Sequence, residues 1–305
     1  MSALLSSRNA LAGTKLWLLH VGNIVADAGF VMYGVSKIPT VLSMKGTFNN
    51  IEILQGSMST VSTPRPTHNR REMVMISVLI EHPTEGLILF EVGPGKDYPT
   101  VWGPQLCDVF ARINYDPDQE LDAQIEKTGH NIKDVKAVIM GHLHLDHAGG
   151  LDFFKGTDVP IYVHEEELKN AFCSVATKSD LGVYFPSHLN FDVNWKTFHG
   201  KVWEFATGLT LRPYAMLLGT RPDYAFSRYV DLTNTGTWLF TSDQYIVKEN
   251  YEDSTPQGWF SRDHAQWIRS HQMIQSIKKL KNAKLVFGHD KEIFYSYKIA
   301  PEFHD

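Results

Sequence analysis

Short apolar runs separated by turn signals recur along the chain, and they predict strands alternating with helices. Leu16–Leu19 reads as a first strand that passes into loop through His20, Asn23 and Asp27. Ser43–Arg71, with Pro64, Pro66 and a basic Arg70-Arg71 end, reads as one long loop lying over another part of the molecule. Met73–Glu81 and Leu87–Glu91 flank the turn signal His82-Pro-Thr-Glu-Gly86 and pair as an antiparallel hairpin. Leu121–Lys127 has helical periodicity and ends at Gly129, whereas the unbroken apolar character of Val135–Met140 marks a buried strand. Beyond it, Leu151–Phe154 begins a short helix, Pro160–Val163 is a strand, and Glu165–Phe172 is helical with an acidic first turn. Phe198–Glu204 and Leu209–Leu211 read as strands around Thr207-Gly208, and Gly236–Thr241 as another. Asp263–Lys279 is an amphipathic helix with Ile268, Met273, Ile277 and Leu280 on one side; Leu285–Phe287 is the last strand and Tyr297–Asp305 a polar tail. This alternation predicts an α/β (α+β) layered fold, one domain over residues 1–305, with its site at one edge of the sheets.

The strand ends carry the chemistry. Directly behind Val135–Met140 stands Gly141-His-Leu-His-Leu-Asp-His147, three imidazoles and a carboxylate within six residues. His142 and His144 alternate by two and project to one side, while Asp146 and His147 follow as the chain turns into a helix. One cation cannot readily use all four. The natural arrangement is two metals, His142 and His144 on one, Asp146 and His147 on the other. Asp243 and His289, each just beyond a strand, are the candidates for further ligands. A carboxylate such as Asp243 can bridge cations about 3.5–4 Å apart, although taken alone it reads as a turn cap and His289 as a surface residue. Imidazole-rich ligation without thiolates favours zinc, with iron, manganese and cobalt left open. His164, His188, His199, His264 and His271 read as structural; Gly149-Gly150 permits a close turn, and Glu91 and Gly93 are candidates to support the ligands.

Composition narrows the substrate. The 305 residues are 43% apolar, enough for a sizeable core, and the net charge of −5 offers no electrostatic reason to bind nucleic acid or an anionic membrane. A small-molecule substrate fits better, with the oligomeric state left open. Cys107 and Cys173 lie far apart, so no disulfide framework or thiolate site is indicated and a reducing, cytoplasmic setting is expected. Leu16–Tyr33 is interrupted by polar residues, and no apolar run approaches membrane-spanning length.

The stretch Gly141–Gly150 resembles the metal motif of the metallo-β-lactamase superfamily, and three other segments match in order: Phe90–Gly93, Thr241–Asp243 and Gly288–Asp290. Within the superfamily, the long N-terminal loop, the Gly-His-Asp ending and the run Asp243-Gln-Tyr245 look like the N-acyl-homoserine lactonase branch. The resemblance implies a four-layer αβ/βα sandwich, two metals and hydrolysis of a lactone ester by a bridging hydroxide. It also implies that Asp146 handles a proton at the leaving alkoxide, and it makes Tyr245 a candidate oxyanion donor. A thioesterase or glyoxalase-II-like hydrolase would use the same metals; a nuclease is disfavoured by the acidic chain.

One departure stands against the resemblance. The family pattern has a further histidine, in a Pro-Gly-His-Thr-Pro-Gly loop, where this chain has Tyr214–Tyr229 with no histidine at all. The first metal is thus one ligand short, with Asp223, Tyr224 or water as imperfect substitutes. Codons can be chosen for Ala215–Arg228 that, read from the third base of the first, give His-Ala-Pro-Gly-His-Thr-Pro-Gly. A compensated frameshift would place the missing imidazole at the Gly219/Thr220 junction and would leave a catalytically impaired member; the alternative from a different class is a catalytically dead relative that retains the fold as a binding or interaction module.

Overall fold

Strict alternation of side chains along the strands sets the layers. The computed structural model describes residues 10–34, 59–64, 69–96, 98–178, 183–189, 192–200, 202–216, 223–258 and 263–305. In chain order the elements are β1 (Lys15–Asp27), α1 (Ala28–Val31), β2 (Arg70–His82), β3 (Gly86–Phe90), α2 (Tyr98–Val109), β4 (Ala111–Ile113), α3 (Leu121–Lys127) and β5 (Val135–Ile139). There follow α4 (Leu145–Ala148), β6 (Ile161–His164), α5 (Glu165–Thr177), β7 (Trp195–Phe198), β8 (Trp203–Ala206), β9 (Leu209–Met216), β10 (Asp223–Leu232) and β11 (Gly236–Phe240). The chain closes with α6 (Lys248–Glu252), α7 (His264–Lys281), β12 (Lys284–Val286) and α8 (Lys291–Tyr295). Among the described residues the strands form a seven-stranded sheet, ordered β4-β1-β2-β3-β5-β6-β7, and a five-stranded sheet, ordered β12-β11-β10-β9-β8.

Leu16 and Leu18 of β1, Ile88 and Phe90 of β3, and Ile139 of β5 meet Val230, Leu232, Trp238 and Phe240 of the second sheet in one core. The residues between them, Trp17 and Leu19, Leu87 and Leu89, Val138, face away and pack with Trp102, Leu106 and Ile125 of the helices. On the other outer face, Tyr229, Leu239 and Leu285 meet Trp267, Ile274 and Ile277 of α7. Two sheets face to face, each covered outside by helices, make the expected αβ/βα sandwich.

Four local expectations change. The first strand runs on through His20, Asn23 and Asp27, taking up the interruption as an irregularity between His20 and Gly22 in its pairing with β2. Phe198–Glu204 is not one strand: the chain leaves the first sheet at Phe198 and enters the second at Trp203. α7 buries Trp267, Ser270, His271, Ile274 and Ile277, leaving Ile268 at 49% and Leu280 at 64% exposure, because a stripe of mixed polarity faces the sheet. The polar tail is pinned, with Leu16 and His304 exchanging backbone hydrogen bonds and Asp305 O accepting from Asn234 N and Thr235 N.

Candidate metal centre

β3 and β5 run parallel in the first sheet, as do β11 and β12 in the second, so the loops that leave their C-terminal ends gather at one edge. The loop after β5 carries His142 and His144, and α4 carries Asp146 and His147. Its path depends on glycine. Gly141 N donates to Glu91 Oε1 at 3.1 Å, and a Cβ on Gly141 would stand 2.1 Å from that oxygen. Cβ atoms on Gly149 and Gly150 would collide with the backbone oxygens of Pro94 and Val92, so only glycine lets the two loops lie together. Glu167 Oε1 accepts from Leu143 N at 2.8 Å and receives the Tyr184 hydroxyl at 3.2 Å, which fixes the turn between the two imidazoles.

The second sheet brings the rest. Asp243 follows β11 in a short 3-10 turn in which Ser242 is left-handed (φ 44), and His289 follows β12. The structure thus brings His142, His144, Asp146, His147, Asp243 and His289 together. His289 Nε2 lies 3.1 Å from Asp243 Oδ1 and 3.5 Å from Asp146 Oδ2. His147 Nε2 lies 3.3 Å from Asp243 Oδ1, and His142 Nε2 lies 3.5 Å from Asp243 Oδ2. The donor atoms fall into three groups, His142/His144/Asp243, Asp146/His147/His289 and Glu91/His142/His147, each with its atoms within 4.8 Å of one another; the third shares a ring with each of the others. Asp243 touches the first two.

Donor atoms left without partners test the fit to metal. Among the described residues the Nε2 atoms of His142, His144 and His147 are buried and make no hydrogen bond. Buried nitrogens in that state are costly, and three of them beside two carboxylates suit cations. Two of the opposite ring nitrogens are held from behind. His289 Nδ1 meets Val74 O at 2.8 Å and His142 Nδ1 meets Ser242 Oγ at 3.3 Å, whereas His147 Nδ1, 3.6 Å from Glu91 Oε1, makes no hydrogen bond among the described residues. Such contacts orient the ring and its free lone pair. Electrostatics divides the cluster. Burial and the neighbouring His142 push His144 well below its ordinary pKa. Burial acts the same way on His147, but Asp146, Asp243 and Glu91 more than offset it and hold that residue well above. Burial would raise the Asp243 carboxyl, yet His147, His289 and His142 bring it well below the usual range.

Tyr245 does not join them. Its side chain is fully buried against Trp267, Tyr251 and Phe287, and its hydroxyl is engaged by His271 Nδ1 at 2.7 Å. The strand-end turn gives the pocket to the next residue, Ile246, instead. Asp290 is likewise structural, accepting from Ile293 N and Lys248 N. The Gly219/Thr220 junction, where the missing imidazole was expected, lies outside the described residues, as do the side chains of Asp223 and Tyr224.

Beside the cluster opens a pocket. His144, Asp146, Asp243 and His289 form one side; Ile24, Phe30, Met73, Phe110, Leu145, Val183 and Ile246 form an apolar wall, joined by Gln257. Sequence reasoning missed this wall and Glu167, because pocket and supporting residues come from widely separated segments with no shared period.

Residues 77–216 match the Metallo-beta-lactamase superfamily. The N-acyl homoserine lactonase AttM of Rhizobium radiobacter is 28% identical over 276 residues, covering 86% of this chain and 95% of its own. The N-acyl homoserine lactonase AiiA of Bacillus thuringiensis subsp. kurstaki is 27% identical over 199 residues, 65% of this chain and 67% of its own. A solved N-acyl homoserine lactone hydrolase, with the product N-hexanoyl-L-homoserine at its catalytic metal centre, superposes with a TM-score of 0.71 at 20% identity, covering 95% of this chain and 98% of its own. Layer order, strand-end donors and matched segment agree in likening the chain, over residues 77–216, to the metallo-beta-lactamase superfamily.

Proposed function

We propose that the protein is a metal-dependent hydrolase that opens the lactone ring of N-acyl homoserine lactones, acting as one domain over residues 1–305 in the cytoplasm. The observation that carries this reading is the convergence of six imidazole and carboxylate side chains, three of the rings with unpartnered buried nitrogens, beside a pocket that four of the six line together with apolar residues. His142, His144 and Asp243 would hold one cation and Asp146, His147, His289 and Asp243 the other, with zinc favoured by the donor set. A bound pair supplies Lewis acidity and lowers the pKa of water, the chemistry that ester opening at neutral pH requires. Around it, the chain's own residues do the rest. Val74 O and Ser242 Oγ orient two rings, Asp146 reaches the pocket to take or return the proton of the leaving alkoxide, and the apolar wall receives the acyl chain and excludes water. Both cysteines are free thiols, in keeping with a reducing compartment, and no described helix is long and apolar enough to cross a membrane.

The test is metal content per chain together with turnover of an N-acyl homoserine lactone and of an acyl thioester after zinc reconstitution. Lactone opening abolished by a chelator supports the reading; turnover confined to the thioester overturns it. The histidine-free run Tyr214–Tyr229 favours a second reading, in which the chain keeps the Asp146/His147/His289 cation and holds the other weakly. Restoring the Pro-Gly-His-Thr-Pro-Gly loop is then expected to raise bound metal from about one to about two per chain. Equal metal content in both chains would reject that second reading.

A further inference from the structure

The pocket wall contains one polar side chain for which the metal reading has no use, Gln257. Its segment is fastened to α1 and the turn after it: Tyr33 N donates to Pro256 O, and Gly258 N to Phe30 O, both at 3.0 Å. The side-chain Nε2 donates to the backbone oxygen of Asp243. Because a backbone carbonyl only accepts, that bond decides which end of the carboxamide is oxygen. Oε1 is therefore left as a fixed acceptor. It is buried and has no hydrogen-bond partner among the described residues, on a side chain that is 1% exposed. Of the residues that line the pocket with it, Phe30, Ile246 and Val183 carry no side-chain donor, and a buried acceptor without a partner calls for an explanation, of which a ligand is one.

We infer that Gln257 Oε1 accepts a hydrogen bond from an N–H of the substrate, so that the pocket selects lactones bearing an acylamino group over lactones without one. The inference rests on the lactone reading of the site. In an α-acylamino lactone the N–H lies two bonds from the ring carbonyl carbon, so a carbonyl at the metals brings that N–H into the same pocket. Gln257 is tied to Asp243, which keeps the acceptor in register with the proposed bridging carboxylate. It is a specificity-determining residue with no part in bond breaking.

Calorimetry on the full zinc-loaded chain, with ligands that cannot be hydrolysed, reads this directly. The probes are a 2-acylaminocyclopentanone and the analogue with CH2 in place of N–H. Wild-type protein is expected to bind the N–H ligand about 10–100-fold more tightly, the cost of leaving a buried acceptor unmatched. In Gln257→Leu and Gln257→Met the ratio is expected to fall to within about threefold of one. A wild-type ratio near one, a ratio that survives both substitutions, or failure to bind either ligand overturns the inference. Because each protein is compared with itself, lost stability in a variant does not mimic the result. Lactone turnover is measured beside it: N–H preference without turnover removes the hydrolase reading and keeps Gln257, and turnover without preference does the reverse.

Discussion

The hydroxyl of Tyr245 and the Nδ1 of His271 satisfy each other inside the second sheet's outer layer, and Ser254 Oγ meets His271 Nε2 at 3.0 Å. Tyr245→Phe is expected to leave kcat on a lactone within about twofold and to lower stability by about 1–3 kcal/mol, since a buried imidazole nitrogen loses its partner. A large fall in kcat with an unchanged denaturation midpoint would return Tyr245 to the reaction. His188 makes a second prediction at this scale. It is buried, and desolvation brings it from 6.5 to about 4. The unfolded chain therefore binds a proton between those values that the folded chain does not. The stabilisation is complete above about 6.5 and is lost as pH falls towards 4, in total about 3 kcal/mol. Urea midpoints of wild type and His188→Gln at about pH 7 and about pH 5 check this: the acid loss should shrink in the variant, and parallel losses would contradict it. Individual residues were legible where chemistry is local, as in the four donors within Gly141–His147. Gln257 was not, because what singles it out is a buried Oε1 without a partner while its Nε2 is tied to Asp243, which no spacing along the chain encodes.

Elements were legible where burial is one-sided or complete. β2 and β3 and the buried β5 follow from their apolar patterns, whereas the boundary between β7 and β8 does not, because Phe198 and Trp203 both lie against the same inter-sheet core and read as one run. The face of α7 was misjudged for a related reason. Its buried stripe includes Ser270 and His271, while Ile268 and Leu280 point to solvent. Ile274→Ala is expected to cost about 2–5 kcal/mol and Ile268→Ala less than about 0.5 kcal/mol, measured as chemical denaturation midpoints. Similar costs at the two positions would mean that the helix presents a different face. The first sheet's edge order and the parallel pairing of β11 with β12 were also beyond the sequence, since partner choice depends on what the rest of the chain covers.

At the scale of the molecule, the two sheets each deliver part of the candidate donor set, so cation binding at the proposed centre would be coupled to sheet packing. Zinc added to metal-free protein is expected to raise the melting temperature, by the equivalent of about 4 kcal/mol at a thousandfold excess over Kd. The pH dependence has a definite sign. His147, held above its ordinary pKa by burial-offsetting carboxylates, must lose a proton before it can ligate. The zinc-induced rise should therefore grow from about pH 6 to about pH 7.5, and a rise that shrinks over that range would contradict the assignment of His147 as a ligand. The backbone contact between Val92–Gly95 and Gly149–Gly150 has a further consequence, for change over generations. Val92 N donates to His147 O at 3.0 Å and Gly150 N to Gly93 O at 3.3 Å, in a space that admits no Cβ. Those two loops are pinned to one another, and substitution of Gly149 or Gly150 would force them apart. Room for novelty lies across the pocket, where Ile24, Phe30, Met73 and Ile246 can exchange size and shape while the donors stay where the pinned loops put them.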